Sequence, residues 1–549
     1  MRALRKAGCA GVALAATALM LVATSGVSGA APRASATARI ADNGSSNTYG
    51  SLPPQRFPAT SGGTLSIAIP PGASPTYIFP ITPGANLSVY DVDQFQAYMW
   101  RPCWWSPKGD EPFIDLSQSI CKAPVFSDNN KVVTINMNPG WMWSNGKPVT
   151  STDLAFDYWM TEAAVKISPA NDGDYTPGLY PDDVVSISTP SASTLIIRFN
   201  KTYNANFDWL EQLGALEPLP AAAWAETSAN GPIISNFSSL KTAESIYKFL
   251  NTQSKDLKTY GSNPLWQVVD GPYKIVTYDP ATGANTMTIN TAYSGPVKPH
   301  ITTIDDEYFT STSSEFNQLL TGNLDVGFVD FSDLAQVGRL RSLGYNVWGA
   351  PDFGFSYVDY NFKDTTGDFN NIISQLYIRQ ALAHLQDEQA VIQSRGVFDG
   401  AAGPAYGPTP VIPSSPFTPS NAATDPFPFS VSTAKTLLTS HGWKVVPDGT
   451  TTCQNPGTGA NQCGAGIPAG TALSWNLVYT NSPAVVGSQD EVLASNAKQL
   501  GINITLQSKE FNYIVGDLND VSSPANDNKW AMEDFGGFTL DLYPTTNEL

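Results

Sequence analysis

The sequence predicts an α/β fold of two or more domains, and three observations carry that expectation. At 549 residues the chain is long enough to bury more than one core. Strand-like and helix-like segments alternate along it, the pattern of helices packed on sheets. Around Pro139 to Met160 (PGWMWSNGKPVTSTDLAFDYWM) a strand, a turn and a helix start interlock.

In chain order, Met1 to Ala31 is expected to direct export rather than to fold. Arg2, Arg5 and Lys6 are basic, Gly11 to Ala23 is apolar, and Ser28-Gly29-Ala30 is a small-residue cleavage signal. The apolar run is too short for a lasting membrane anchor. Pro32 to Gly63, rich in Ser, Ala, Gly, Thr and Pro, reads as a flexible leader. Folding is predicted to begin at Thr64, where TLSIAI alternates as a strand. Gln94 to Trp105 then holds Phe95, Tyr98, Met99, Trp100, Trp104 and Trp105, a cluster that either packs a core or lines a ligand site. Trp104 and Trp105 flank Cys103 in a predicted loop, which makes them the candidate ligand contacts of this cluster.

Lys131 to Asn138 (KVVTINMN) alternates as a half-buried strand. Asn145-Gly146 supplies a turn because both residues tolerate positive φ. Thr150, Ser151 and Thr152 offer hydroxyls to a helix start, Asp153 suits the positive end of the dipole, and Leu154, Phe156 and Trp159 begin an apolar face. Val184 to Phe199 reads as two strands around a Ser/Pro turn, and Asn206 to Leu216 as a short amphipathic helix. Gly271 to Asn290 predicts a hairpin turning at Asp279 to Gly283, and Pro408 to Pro428 is a connection.

Charge and cysteine usage narrow the function. A formal net charge of −18 argues against nucleic acid or an anionic membrane as partner. Once Cys9 leaves with the export segment, Cys103, Cys121, Cys453 and Cys463 remain, an even number in an oxidising compartment. The local pairs Cys103 with Cys121 and Cys453 with Cys463 are the expected disulfides. No metal is expected, because C-x-x-C and Cys/His spacings are absent. The chain also lacks a G-x-S-x-G elbow, H-E-x-x-H, a Walker or dinucleotide loop and an EF-hand loop. His300, His384 and His441 stand far apart, with His384 inside a predicted helix. No catalytic residue and no cofactor is assigned. Paired carboxylates for glycoside hydrolysis leave no spacing trace, so a secreted hydrolase stays as an alternative.

Six collinear segments add a resemblance. Trp143, Asn145-Gly146, Pro148, Thr150, Asp153 and Phe156 resemble the W-S-D-G-x-P-x-T-A-x-D-V-x-F segment of the oligopeptide and dipeptide class of extracytoplasmic solute-binding proteins, family 5, the capture components of ABC importers. Asp270 to Ile275 (DGPYKI), Phe316 to Phe328, Tyr377 to Ile392, Ser432 to Trp443 and Asn496 to Leu506 are similar to further segments of that family in the same order.

The resemblance implies a two-lobed periplasmic-binding-protein-like fold, class II, with an extra subdomain inserted in the first lobe. The first lobe would run over 64–355 with the insert at about 101–211, and the second over 356–549, ending before a final return to the first. Ser356 to Asn361 would be the first crossing strand, with Phe353 just before it near the ligand. Asp541 resembles the aspartate that pairs with a peptide's α-ammonium. The implied partners are a peptide or similar small solute, an ABC permease and its ATPase subunits, acting with a monomeric binder. Many relatives in Gram-positive cells are tethered through a cysteine directly after the apolar region; here Cys9 precedes it, a departure that puts a lipid anchor in doubt. A sensory or adhesion protein on the same fold is a further alternative.

Overall fold

The computed structural model describes residues 61–539 apart from 87, 89–94, 106–113, 348–353, 395–396, 399–401, 409–410, 412–417 and 519–523. The export segment, the leader, Phe353 and Asp541 lie outside these described residues. They fall into two compact units, one ending at Gly327 and one over Phe328–Phe538.

The first unit contains β1 (Thr64–Ile69), β2 (Val125–Ser127), β3 (Val132–Asn136), β4 (Val184–Ser191), β5 (Thr194–Phe199), β6 (Tyr273–Tyr278), β7 (Asn285–Ile289) and β8 (Thr303–Tyr308). They form two sheets, ordered β1-β8-β7-β6 and β2-β3-β5-β4. The second sheet is wholly antiparallel and lies, in sequence, between two strands of the first. It is an insertion with its own hydrogen-bonded ladder. In the first sheet only β1 and β8 run parallel, because β6, β7 and β8 follow one another as a meander.

The unit around Pro139 to Met160 is built as the residues dictate, with one refinement. Trp143 N donates to Lys147 O at 2.8 Å and Gly146 N to Trp143 O at 2.9 Å, closing the turn. Only Gly146 uses a positive φ, 80°. Asn145 contributes its side chain instead, accepting from Lys147 N at 3.1 Å. Helix α1 (Ser151–Ile167) follows, with Thr150 as N-cap. Thr150 N donates to Asp153 Oδ2 at 2.8 Å, so the acidic residue satisfies an amide that the helix leaves orphaned. Leu154, Phe156, Met160, Ala163 and Ala164 are buried, and α1 packs against α2 (Leu240–Ser254). Phe156 meets Phe237 edge to face with centroids 4.9 Å apart.

The core is centred on Trp100, Trp224 and Trp266, all fully buried. Trp224 lies 5.3 Å from each of the other two, edge to face. Its indole N–H donates to Leu265 O at 2.7 Å, and that of Trp100 to Val268 O at 3.1 Å. Apolar area is thus buried without stranding these two indole donors, whereas Trp266 Nε1 has no hydrogen-bond partner. The stretch read as an amphipathic helix at Asn206 to Leu216 is different. A short turn at Ala205–Phe207 passes into a π-helical turn at Asp208–Gln212, whose five residues are all buried. The wider turn has no solvent face.

The second unit contains β9 (Gly354–Phe355), β10 (Asp359–Tyr360), β11 (Trp443–Lys444), β12 (Thr452–Cys453), β13 (Ser474–Thr480), β14 (Asn503–Lys509) and β15 (Met532–Asp534). Its main sheet runs β10-β15-β13-β14. β13 is parallel to both β14 and β15, and β10 is antiparallel to β15. Helix α3 (Leu376–Ala383) packs on α4 (Val431–Ser440). Helix α5 (Ala484–Lys498) makes the crossover from β13 to β14 and packs on both. His384 stands one residue beyond α3 rather than inside it, its Nδ1 2.8 Å from Pro428 O.

Two disulfides close local loops: Cys103–Cys121, with Cα atoms 5.0 Å apart, and Cys453–Cys463, 6.0 Å apart. Among the described residues no helix is long and apolar enough to cross a membrane.

Candidate functional site

Of the four ligand contacts expected from the sequence, two fall on described residues, and both are packed. Trp104 is 4% exposed and Trp105 7%. Trp104 meets Trp209 edge to face at 5.9 Å and donates its indole N–H to Lys122 O at 2.9 Å. Trp105 lies beneath the Arg101 guanidinium, whose carbon is 3.4 Å from the ring centre. These rings fill the first unit's interior around the Cys103–Cys121 disulfide.

In the second unit, the segments that lead toward Phe353 and Asp541 in sequence come together. Phe355 lies 5.6 Å from Tyr357, and Tyr357 lies 5.5 Å from Phe535 at 82°. All three rings are half-buried. Two features hold the segments side by side. Ser356 Oγ donates to Gly536 O at 2.7 Å. Gly537 has φ +93°, and a Cβ there would lie 2.2 Å from Phe355 O, so only glycine permits this backbone approach. Partly exposed aromatic rings on a constrained backbone are suited to apolar and stacking contacts with a small ligand.

Asp534, the residue before Phe535, and Asp490 are buried acids of the same unit. Asp534, 1% exposed, accepts from Gly536 N and from Gln489 Nε2, each at 2.7 Å. Asp490, on α5, is fully buried, and neither of its carboxylate oxygens has a hydrogen-bond partner. Burial first and the Asp534 charge second push the Asp490 carboxyl strongly upward. Burial also raises Asp534, against the two hydrogen bonds that favour its charged form, and Asp359 is pushed up to about 6 by burial. Among the described residues no group of three or more His, Cys, Asp or Glu could hold a metal ion. Sequence reasoning missed these acids. Asp490 and Asp534 are 44 positions apart, and only the packing of α5 against the sheet joins them.

Comparison with known proteins shows the family. The family model of bacterial extracellular solute-binding proteins, family 5 middle, matches residues 116–547. The chain belongs to that family. A "Probable ABC transporter-binding protein" of Deinococcus radiodurans is 22% identical over 408 residues, covering 70% of this chain and 60% of the relative. The chain thus spans about three fifths of that relative's length. The oligopeptide-binding protein AppA of Bacillus subtilis, solved with a nonapeptide, has a TM-score of 0.63 at 17% identity, covering 89% of this chain and 82% of the other. An oligopeptide-binding protein of Thermotoga maritima, solved with mannohexaose, has a TM-score of 0.62 at 16% identity, covering 89% and 78%. The family 5 fold is therefore shared by solute-binding proteins solved with chemically different ligands.

Proposed function

We propose that this family 5 protein is the solute-capturing component of an ABC importer, exported from the cell and binding an oligopeptide or similar small solute without covalent chemistry. The observation that carries this reading is the half-buried trio Phe355, Tyr357 and Phe535 on a glycine-constrained backbone within the region that matches the family. Phe353 precedes Phe355 by two residues, and Asp541 follows Gly537 by four. Asp541 would supply the charge for a peptide's α-ammonium and Phe353 a further ring. Both a peptide and a sugar present flat or apolar faces that such rings can take. The charge partner favours the peptide. A permease with its ATPase subunits would receive the solute.

The test is a thermal-shift screen of dialysed protein against mixed nonapeptides, manno-oligosaccharides and metal chelates. Binding to the native state alone raises the melting temperature, by about 2.7 kcal/mol of stabilisation at a ligand concentration 100 times Kd. A shift with the nonapeptides is expected. No shift with any class, together with turnover of a chromogenic glycoside or peptide, would favour a secreted hydrolase instead.

A further inference from the structure

We propose that Asp490 and Asp534 form one proton-sharing carboxyl pair that fastens α5 to the Gly536–Gly537 turn and makes the aromatic trio sensitive to pH. The identification of the trio as a ligand surface rests on the reading above; the latch itself does not.

The geometry supplies a continuous connection. Gln489 on α5 donates to one oxygen of Asp534, and the other oxygen holds Gly536 N. Gly536 O in turn accepts from Ser356, between Phe355 and Tyr357. Asp490, the next residue on α5, is buried with both oxygens bare. A charged carboxylate in that position would be unsolvated and unpaired, which is costly. A proton on Asp490 converts it into a donor, and Asp534, held by the side chain of the adjacent Gln489, is the acceptor assigned to it.

Among the described residues the surrounding groups supply no counter-charge. From β15 comes Asp534 itself, and from β10 comes Asp359, a second acid that raises Asp534. β13 contributes Tyr479, whose ring packs on Gly487 of α5, and β14 contributes the apolar Ile504 and Leu506. Glu388, at one remove through Val391, Val485 and Val486, is acidic as well. Among the described residues no lysine, arginine or histidine forms an ion pair or hydrogen bond with Asp490 or Asp534.

The sign follows. Burial and like charge raise both carboxyls, to about 9 for Asp490 and about 7 for Asp534. A raised carboxyl stabilises the folded form fully below the ordinary carboxylate range, and that contribution is lost progressively as pH rises from there through about 7 for Asp534 and about 9 for Asp490. Alkali places a second negative charge on these buried acids, and separation of α5 from the turn relieves it.

Hydrogen–deuterium exchange of the full chain without ligand tests this, so failure of the ligand reading leaves the result interpretable. After correction for intrinsic exchange rates, protection of 355–357 and 535–537 should fall by up to about tenfold per pH unit between pH 7 and 9, one proton being released per opening, and level off above that. In Asp490→Asn, which keeps the shape and cannot ionise, the slope between pH 7 and 9 should flatten, and protection at pH 6 should be no lower than in the wild type. Equal pH slopes in the wild type and the variant would overturn the proposal. If the variant does not fold, the wild type decides: protection at 535–537 that is unchanged between pH 7 and 9 overturns it.

Discussion

Asp153 and Asp490 are both buried aspartates on helices, and their surroundings could hardly differ more. Asp153, 4% exposed, accepts from Thr150 N, Thr150 Oγ1 and Ala221 N at 2.8–3.1 Å and from the Trp143 indole at 3.4 Å. Asp490 accepts from nothing. In the first unit a buried charge is used to tie a turn, a helix start and Ala221 into one scaffold. In the second, a buried carboxyl is left without a hydrogen-bond partner. The contrast belongs to these two residues rather than to the two units, since Asp306 in the first unit is also buried with both carboxylate oxygens bare.

Substitutions can break or sharpen that contrast. The largest effect is expected for Trp104→Ala, which opens a cavity in the first unit and should cost about 3–5 kcal/mol in denaturant unfolding. Any retained ligand should be unaffected by it. Asp153→Ala strands the Ala221 amide, the Trp143 indole and the Thr150 amide, and should cost roughly 3 kcal/mol in the same measurement. A loss under about 1 kcal/mol would show that these hydrogen bonds are replaced by water and that the contrast with Asp490 is weak. Gly537→Ala is expected to act locally, forcing a strained φ and a clash with Phe355 O at about 1–3 kcal/mol. It should weaken solute binding more than it shifts the melting temperature, the reverse of Trp104→Ala.

What the sequence disclosed is the part governed by neighbours in the chain. TLSIAI at Thr64 became β1, and Asp279 to Gly283 became the turn between β6 and β7. Thr150 and Asp153 made their cap because the two partners are three residues apart. The cysteines, 18 and 10 positions apart, paired locally. Legibility failed where the determining contacts are distant. Trp104 and Trp105 do lie in a loop, but their burial depends on Trp209 packing on the first and Arg101 on the second, which the local sequence does not show. Asp208 to Gln212 look amphipathic until every side is covered. Nothing local distinguishes Asp490 from the exposed Glu491 beside it; only the arrival of Asp534 does.

The central claim is that a small solute is held at Phe355, Tyr357 and Phe535, and native mass spectrometry of freshly purified wild type beside Phe535→Ala tests it most directly. The wild type should carry a small-molecule adduct, and the variant, folded by its melting temperature, should lose at least about tenfold in occupancy, equivalent to roughly 1.4 kcal/mol of binding. An adduct of equal occupancy in both proteins, or none on the wild type, would contradict it.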